Sequence, residues 1–222
     1  AVEQAHPEAR RAGRLPVVRA AIGDAGDVQM RPGDVAADEL LHQPDVGLVL
    51  HDARVRATHQ PGHALDALYF ADSLGSMDPD QTARIVRLLK EHWSGALGIH
   101  THDNMGRAVA NTMRAVEEGV TWVDATVTGM GRGPGNAQTE HVLIELEDRR
   151  RRPRMSPLLA LIREHFEPLQ SAHGWGKNPY YHLSGKYGIH PTYVQEMLAD
   201  PRYGEAEILS VIEHLRTVGG KK

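Results

Sequence analysis

The sequence contains no cysteine, which excludes disulfide bonds, thiolate metal ligands and a cysteine nucleophile. It has no apolar run near the roughly 20 residues that a membrane-spanning helix needs, and residues 1–6 lack the apolar core of a signal peptide. The formal net charge of -4 at pH 7 gives no general attraction to nucleic acid or to an acidic membrane surface. We therefore expect a cytoplasmic protein with no nucleic-acid partner and no membrane partner.

Aromatic residues are scarce, and none lies in the first part of the chain. Residues 1–66 contain no Lys, Ser, Asn, Phe, Tyr or Trp and a single Ile, Ile22, which is poor material for a core. Residues 46–50 are typical of a strand and residues 35–41 of a short helix. Three interpretations of this atypical segment stay open: a weakly ordered extension, divergent β/α units, or residues unrelated to the fold, such as a misread frame of a GC-rich gene. The composition favours the third, and we predict no chemistry here.

Residues 67–148 read as three strands, each followed by a helix. Short apolar runs predict the strands at residues 67–71, 96–100 and 120–127. The first helix has a clear start, because Asp78 can serve as N-cap, Pro79 as the first helical residue and Gln81 as the second half of a capping box. The last helix is expected over about residues 137–147. This alternation predicts parallel β/α units, in which active sites lie at the C-terminal ends of the strands.

Polar residues cluster at each of these three strand ends. Residues two apart in a strand point the same way, so His100 and His102 present two imidazoles on one face, spaced to hold one divalent metal. Asp72 follows the first strand and is explained either by a substrate-side role or as a turn residue. Asn136 ends a glycine-rich loop and is explained either as a metal-side residue or as the N-cap of the next helix. The loop lacks the Gly-Lys-Ser/Thr ending of a phosphate-binding P-loop.

Three stretches in this region resemble successive motifs of one enzyme superfamily. They are LYFADSLG at residues 68–75, GIHTHDN at 98–104 and GRGPGNAQTE at 131–140. They are similar to motifs of the TIM-barrel metallolyases, which include HMG-CoA lyase, 4-hydroxy-2-oxovalerate aldolase and the isopropylmalate synthases, and most of all to the pyruvate carboxyltransferase type of domain. The resemblance implies an α/β fold made of the parallel β/α units of a partial TIM barrel. Residues 67–148 would be its second half, and residues 149–222 a basic linker with a helical C-terminal region.

The resemblance also implies roles for particular residues. His100, His102 and Asn136 match metal ligands, for Mn²⁺ or Mg²⁺, and Asp72 matches a catalytic carboxylate near the substrate. Tyr181, or its neighbour Tyr180, matches a tail tyrosine that approaches the substrate in some aldolases, although packing of an aromatic pair explains both equally well. The implied reaction is retro-aldol cleavage of a small-molecule 4-hydroxy-2-oxo acid through a metal-stabilised pyruvate enolate.

One departure from the superfamily pattern bears on activity. The first strand of these enzymes carries an Asp-Arg pair, and the nearest match, at residues 51–54, has the wrong spacing. Two imidazoles and one amide give no anionic ligand, although Mg²⁺ and Mn²⁺ prefer carboxylate oxygen. We therefore expect weak metal binding and little lyase activity from this chain alone. The alternative is a non-catalytic truncated homologue or interaction module that keeps the scaffold, and a synthase-like condensation is a weaker third option.

The C-terminal region reads as helical. The arginine-rich run at residues 149–154 lacks interleaved aromatics and favours a solvated linker over a nucleic-acid or coenzyme A phosphate site. Helices are expected to begin at Ser156-Pro157, near Pro191 and near Glu205. Because the corresponding tail mediates dimers in several relatives, the resemblance implies a homo-oligomer.

Overall fold

A computed structural model describes residues 17–20, 53–58, 67–147 and 155–218, the first two ranges as backbone only. The five strands in these ranges are β1 (Val17–Ala20), β2 (Ala53–Thr58), β3 (Ala67–Asp72), β4 (Ala96–Thr101) and β5 (Trp122–Ala125). The α-helices there are α1 (Pro79–His92), α2 (Ala108–Glu117), α3 (Thr139–Glu145), α4 (Met155–Leu161), α5 (Glu167–His173), α6 (Pro179–Tyr187), α7 (Pro191–Ala199) and α8 (Glu205–Val218). The elements predicted at 35–41 and 46–50, and the basic run at 149–154, lie outside the described residues. None of the described helices is long and apolar enough to span a bilayer.

The strands form one sheet in the order β1-β5-β4-β3-β2. β3, β4 and β5 are parallel neighbours, and α1 and α2 make the connections between them. This arrangement confirms the predicted α/β fold of parallel β/α units. The third predicted strand was too long at both ends. The Val120 N–H donates instead to the Ala115 carbonyl in the turn that ends α2, and residues Val127–Gly129 form a short 3-10 turn.

The strand β2 was not predicted and runs antiparallel to β3. Residues 59–66 connect the two, which is shorter than the roughly 10–12 residues of a parallel crossover, so the reversed direction follows from the short connection. Ala53 lies opposite Asp72 and Arg54 opposite Ala71. The loose Asp-Arg match at 51–54 therefore overlaps a strand whose direction is opposite to that of a barrel strand, and its Asp52 lies outside the described residues.

The core between sheet and helices is built from the residue types that the pattern predicts. Phe70, Ile99 and Val123, one from each central strand, are completely buried. The capping box of α1 is present, since Asp78 Oδ1 accepts from the Gln81 N–H at 2.8 Å and Gln81 Oε1 accepts from the Asp78 N–H at 2.9 Å. Local signals at this helix and apolar burial on the sheet agree, which explains why α1 was predicted well.

The C-terminal helices form a second apolar cluster. Its buried members are Tyr181, Ile189, Val194, Met197, Ile208 and Ile212, from α6 to α8 and the turn after α6. Helices α7 and α8 begin at Pro191 and Glu205 as predicted, whereas α4 already includes Met155, ahead of the predicted start. The Trp175 indole N–H donates to the Thr128 carbonyl at 3.2 Å, and the Gly176 N–H donates to the Gly133 carbonyl at 2.9 Å. These two hydrogen bonds connect the helical region to the loop that follows β5.

Candidate metal centre

The two histidines meet where β4 ends. The Nε2 atoms of His100 and His102 are 3.4 Å apart, and the rings are edge-to-face with centroids 5.0 Å apart and an interplanar angle of 84°. Nitrogen ligands about 2.1 Å from one cation lie about 3.0–3.4 Å from each other at octahedral or tetrahedral angles. The separation of the two Nε2 atoms therefore suits joint ligation of a single divalent ion.

The ring of His102 is oriented by the neighbouring loop. Its Nδ1 lies 3.0 Å from the Ser73 carbonyl oxygen, which can only accept. The neutral ring therefore carries its proton on Nδ1, and the lone pair on Nε2 points toward His100. Backbone carbonyls commonly hold metal-binding histidines in this way.

Asn136 lies beside His102, because the two residues form an antiparallel bridge. Side chains of such a pair lie on the same side with Cβ atoms about 4.5–5.5 Å apart. The Asn136 amide donates from Nδ2 to the Met130 carbonyl at 3.2 Å, while its Oδ1 is buried and accepts no hydrogen bond. A buried carbonyl oxygen without a donor suits a cation ligand.

The N-cap interpretation of Asn136 is wrong. Helix α3 begins at Thr139, with Gln138 in the capping position, because residues 136–138 are extended against the strand ends. The Ala137 N–H donates to the Thr101 carbonyl at 3.1 Å, and the Thr126 N–H donates to the Ala137 carbonyl at 3.0 Å. Because of these bonds, α3 begins later in the sequence than predicted, and the segment that carries the Asn136 side chain is held next to β4.

Gly131 makes room for that amide, and Gly135 allows the close turn of the loop that carries it. A Cβ on Gly131 would collide with Asn136 Nδ2, and a Cβ on Gly135, which has φ +79°, would collide with the Gly129 carbonyl oxygen. Thr128 precedes them with φ 54°, a backbone conformation that costs a β-branched residue energy. Its N–H donates to Glu140 Oε2 at 3.1 Å, which helps hold this turn.

Asp72 is completely buried at the end of β3. Its Oδ1 accepts from the Ser76 N–H at 3.0 Å and its Oδ2 from the Met77 N–H at 3.2 Å. These bonds directly support the interpretation of Asp72 as a turn residue. Its proposed contact with substrate stays a prediction.

Tyr181 is 4% exposed and lies in α6, within the C-terminal cluster. A Cβ on Gly133 would lie 3.2 Å from two ring carbons of Tyr181, so the ring packs against the glycine-rich loop. Burial raises the pKa of its phenol, and the nearby Arg132 acts in the opposite direction. The contact supports the packing interpretation, and a catalytic role of Tyr181 stays a prediction.

The sequence reasoning missed Asp124, a carboxylate beside the histidine pair. Gly98 pairs with Trp122 and Ile99 with Val123, and extending this register by one residue brings Asp124 next to His100. Its Oδ2 lies 3.5 Å from His100 Nδ1, and its Oδ1 is buried with no hydrogen-bond partner. Register between separate strands is not encoded locally, which is why this neighbour could not be found from the strand patterns.

No group of three or more His, Cys, Asp or Glu side chains that could hold a metal occurs among residues 67–147 and 155–218. This agrees with the position of Asp124, which faces the edge of His100 opposite to Nε2. The candidate donors for a cation are therefore the two Nε2 atoms and the side-chain oxygen Oδ1 of Asn136, the bridge partner of His102. The chain's described part supplies no carboxylate to that point.

Residues 57–162 match the family model described as HMGL-like. We refer to this matched stretch, which is just under half of the chain, as the HMGL-like domain. The chain is 44% identical over 85 residues to a 4-hydroxy-2-oxovalerate aldolase from Brevibacillus brevis, covering 38% of this chain and 25% of that protein. It is 34% identical over 126 residues to a Bacillus cereus protein of the same name, covering 51% of this chain and 37% of that protein. The predicted resemblance to this lyase superfamily is confirmed.

Two solved structures have a fold similar to that of this chain. The N-terminal domain of a protein assigned as an aldolase from Bacteroides vulgatus matches with a TM-score of 0.57 and 29% identity, over 66% of this chain and 48% of that one. A pyruvate carboxylase from Rhizobium etli matches with a TM-score of 0.51 and 19% identity, over 68% of this chain and 16% of that one, which shows the fold alone. The chain spans 25% and 37% of the length of these two curated aldolases.

Proposed function

We propose that the HMGL-like domain carries the histidine part of a divalent-metal site for carbon–carbon bond cleavage in 4-hydroxy-2-oxo acids. The observation that carries the proposal is the facing pair of His100 and His102 Nε2 atoms, 3.4 Å apart, at the strand ends. The names of the related aldolases support the substrate class. Mn²⁺ or Mg²⁺ is the cofactor proposed.

A bound divalent ion would act as a Lewis acid toward the 2-oxo acid and stabilise the negative charge that develops when the bond breaks. His100 and His102 would hold it through Nε2, and Asn136 through its unpartnered Oδ1. The Ser73 carbonyl keeps the His102 ring turned toward that point. We propose that Asp72, at the end of β3, lies on the substrate side of the site. Tyr181 is proposed to approach the substrate from α6, across the glycine-rich loop.

We further propose that this chain alone binds the ion weakly and has little lyase activity. The proposed ligands carry no negative charge, and hard divalent ions favour carboxylates. Both oxygens of Asp72, a fully buried carboxylate at the end of the neighbouring strand, already accept backbone N–H bonds. General-base assistance, typically about 10²–10⁴-fold, would also need a group outside the proposed set.

Calorimetric titration with Mn²⁺ tests the metal site. We expect one weak site in the unaltered protein and its loss in His100→Ala and in His102→Ala. His214→Ala is the matched control, because His214 is exposed on α8. Unchanged binding after either site substitution would refute the proposed ligands.

The lyase assay separates the two classes of function. Pyruvate release from 4-hydroxy-2-oxovalerate, dependent on Mn²⁺ and abolished by His102→Ala, would show that the chain is active and would overturn the proposed impairment. Metal binding without turnover supports an impaired lyase. If neither Mn²⁺ binding nor turnover is observed, the result favours the non-catalytic homologue.

Self-association is proposed as well. The support is that Leu159, Leu161 and Leu169 in α4 and α5 are 51%, 41% and 42% exposed, and covering them against a second copy would bury apolar surface. Sedimentation velocity of the full chain tests this, with a dimer or larger species expected. A monomer at all accessible concentrations would contradict it.

A further inference from the structure

Asp124 is a charged side chain beside His100 that no proposed catalytic step uses. It extends from β5 at the position adjacent to His100 of β4, and its Oδ2 is 3.5 Å from His100 Nδ1. The other oxygen, Oδ1, is buried and has no hydrogen-bond partner. A buried carboxylate oxygen without a donor is costly, so this arrangement needs a reason.

The benefit that offsets this cost is the orientation of His100, because the Oδ2 contact favours one tautomer of its ring. A carboxylate can only accept, so the favourable neutral ring carries its proton on Nδ1, toward Asp124. The lone pair of His100 then lies on Nε2, on the side that faces His102. With the opposite tautomer, the His100 Nε2–H could donate to His102 Nε2 across the 3.4 Å contact. An unprotonated Nδ1 would then lie against the negative charge of Asp124, and the proton on Nε2 would block ligation.

We infer that Asp124 is a positioning residue that fixes the Nδ1–H tautomer of His100 and so directs Nε2 toward the shared ligand point. The inference rests on the proposed function for its link to metal binding, while the tautomer itself is a property of the metal-free protein. His100 and His102 are then oriented in the same way, one by the Asp124 carboxylate and the other by the Ser73 carbonyl. Partners of this kind change metal affinity by about 10–100-fold when removed.

Direct ligation by Asp124 is less consistent with its geometry. Nδ1 and Nε2 lie on opposite edges of an imidazole, and Asp124 contacts the Nδ1 edge. Consistently, the described residues contain no cluster in which this carboxylate and both rings converge. The predicted effect of Asp124 on the metal therefore acts through His100.

Nitrogen-15 NMR of the histidines tests the tautomer without any metal. In alkaline buffer we expect His100 in the unaltered protein to show Nδ1–H and Asp124→Ala to shift it toward Nε2–H. Asp124→Asn keeps a carbonyl oxygen and should retain part of the Nδ1–H form. Asp200→Ala, which removes a partly exposed carboxylate paired with Arg202, is the matched control and should leave His100 unchanged.

Calorimetric Mn²⁺ titration tests the consequence. Asp124→Ala should weaken binding about 10–100-fold, and Asp200→Ala should not. The loss of affinity in Asp124→Ala and Asp124→Asn should follow the loss of the Nδ1–H tautomer measured by NMR, because the carboxylate acts through His100. Thermal unfolding of each variant separates misfolding from loss of the contact.

An unchanged His100 tautomer in folded Asp124→Ala overturns the inference. So does an Asp124→Asn variant that keeps the Nδ1–H tautomer in full and yet binds Mn²⁺ as weakly as Asp124→Ala, which would make the carboxylate a direct ligand. If the unaltered protein binds no Mn²⁺ while the tautomer shifts as expected, the proposed metal-dependent function fails and the positioning role stands.

Discussion

The turn after β3 offers a sharp test of how the site is packed, through Gly75→Ala. Gly75 has φ +58°, and a Cβ there would collide with Asn104 Oδ1 and lie 2.8 Å from both Cβ and Cγ of that residue. Asn104 is completely buried and donates from Nδ2 to Ser184 Oγ at 3.3 Å, so it has little room to move. The substitution therefore combines an unfavourable backbone conformation with a steric collision.

Gly174→Ala is the matched control, because Gly174 has φ +72° and an added Cβ would meet nothing within 4 Å. Alanine in a left-handed conformation costs about 1–2 kcal/mol, partly offset by about 0.4–1 kcal/mol from the less flexible unfolded chain. Gly174→Ala should therefore lose about 1 kcal/mol of unfolding free energy. Overpacking adds about 1–3 kcal/mol, so Gly75→Ala should lose about 2–4 kcal/mol.

Urea unfolding followed by circular dichroism measures both losses on the same scale. The same turn carries the Ser73 carbonyl that orients His102, so Gly75→Ala should also weaken Mn²⁺ binding, whereas Gly174→Ala should not. Equal destabilisation by the two substitutions would refute the close packing of Gly75 on Asn104. Equal Mn²⁺ affinities would refute the link between this turn and the histidine.

Three further predictions concern other contacts. Burial raises the pKa of Tyr181 above its usual 10.0. The unfolded chain therefore loses the phenol proton first, and stability falls as pH rises from about 10 through the raised pKa. Tyr181→Phe should remove this decline in urea unfolding between pH 8 and 11, whereas Tyr203→Phe, at a 41% exposed position, should not. Asp78→Ala removes the capping box of α1 and should cost about 1 kcal/mol in the same assay, against less than about 0.5 kcal/mol for Asp80→Ala. Trp175→Phe removes the bond to the Thr128 carbonyl and should cost about 1 kcal/mol, with increased amide exchange in the loop at residues 128–136 by mass spectrometry; unchanged exchange would contradict its role there.

Local patterns were enough to predict the central β/α units. The start of α1 at Pro79 is encoded within four residues, by a capping box that the structure contains. Burial of Phe70 and Ile99 follows from their place in short apolar runs between helices. These features involve neighbours in sequence, and a single chain displays them directly.

Features that depend on pairing between distant segments were not predictable. The strand β5 ends at Ala125, and α3 starts only at Thr139, because the intervening backbone bonds to β4 and to the end of β5. The same pairing excluded the N-cap role of Asn136 and placed Asp124 beside His100. Propensity and spacing carry no information about register between strands, so these errors share one physical origin.

The geometry and the charge of the candidate site have different sources. Orientation of the two imidazoles depends on groups within the described chain, namely the Ser73 carbonyl and Asp124, and Asn136 is held by the backbone of its own loop. None of these groups is a negatively charged ligand, because Asp124 contacts the Nδ1 edge of His100 and both oxygens of Asp72 accept hydrogen bonds from the turn. The residues can therefore be pre-arranged while the affinity remains low, because orientation is local and charge neutralisation needs another carboxylate. Adding such a carboxylate should strengthen Mn²⁺ binding without moving the histidines, which is the outcome that separates an incomplete site from a misformed one.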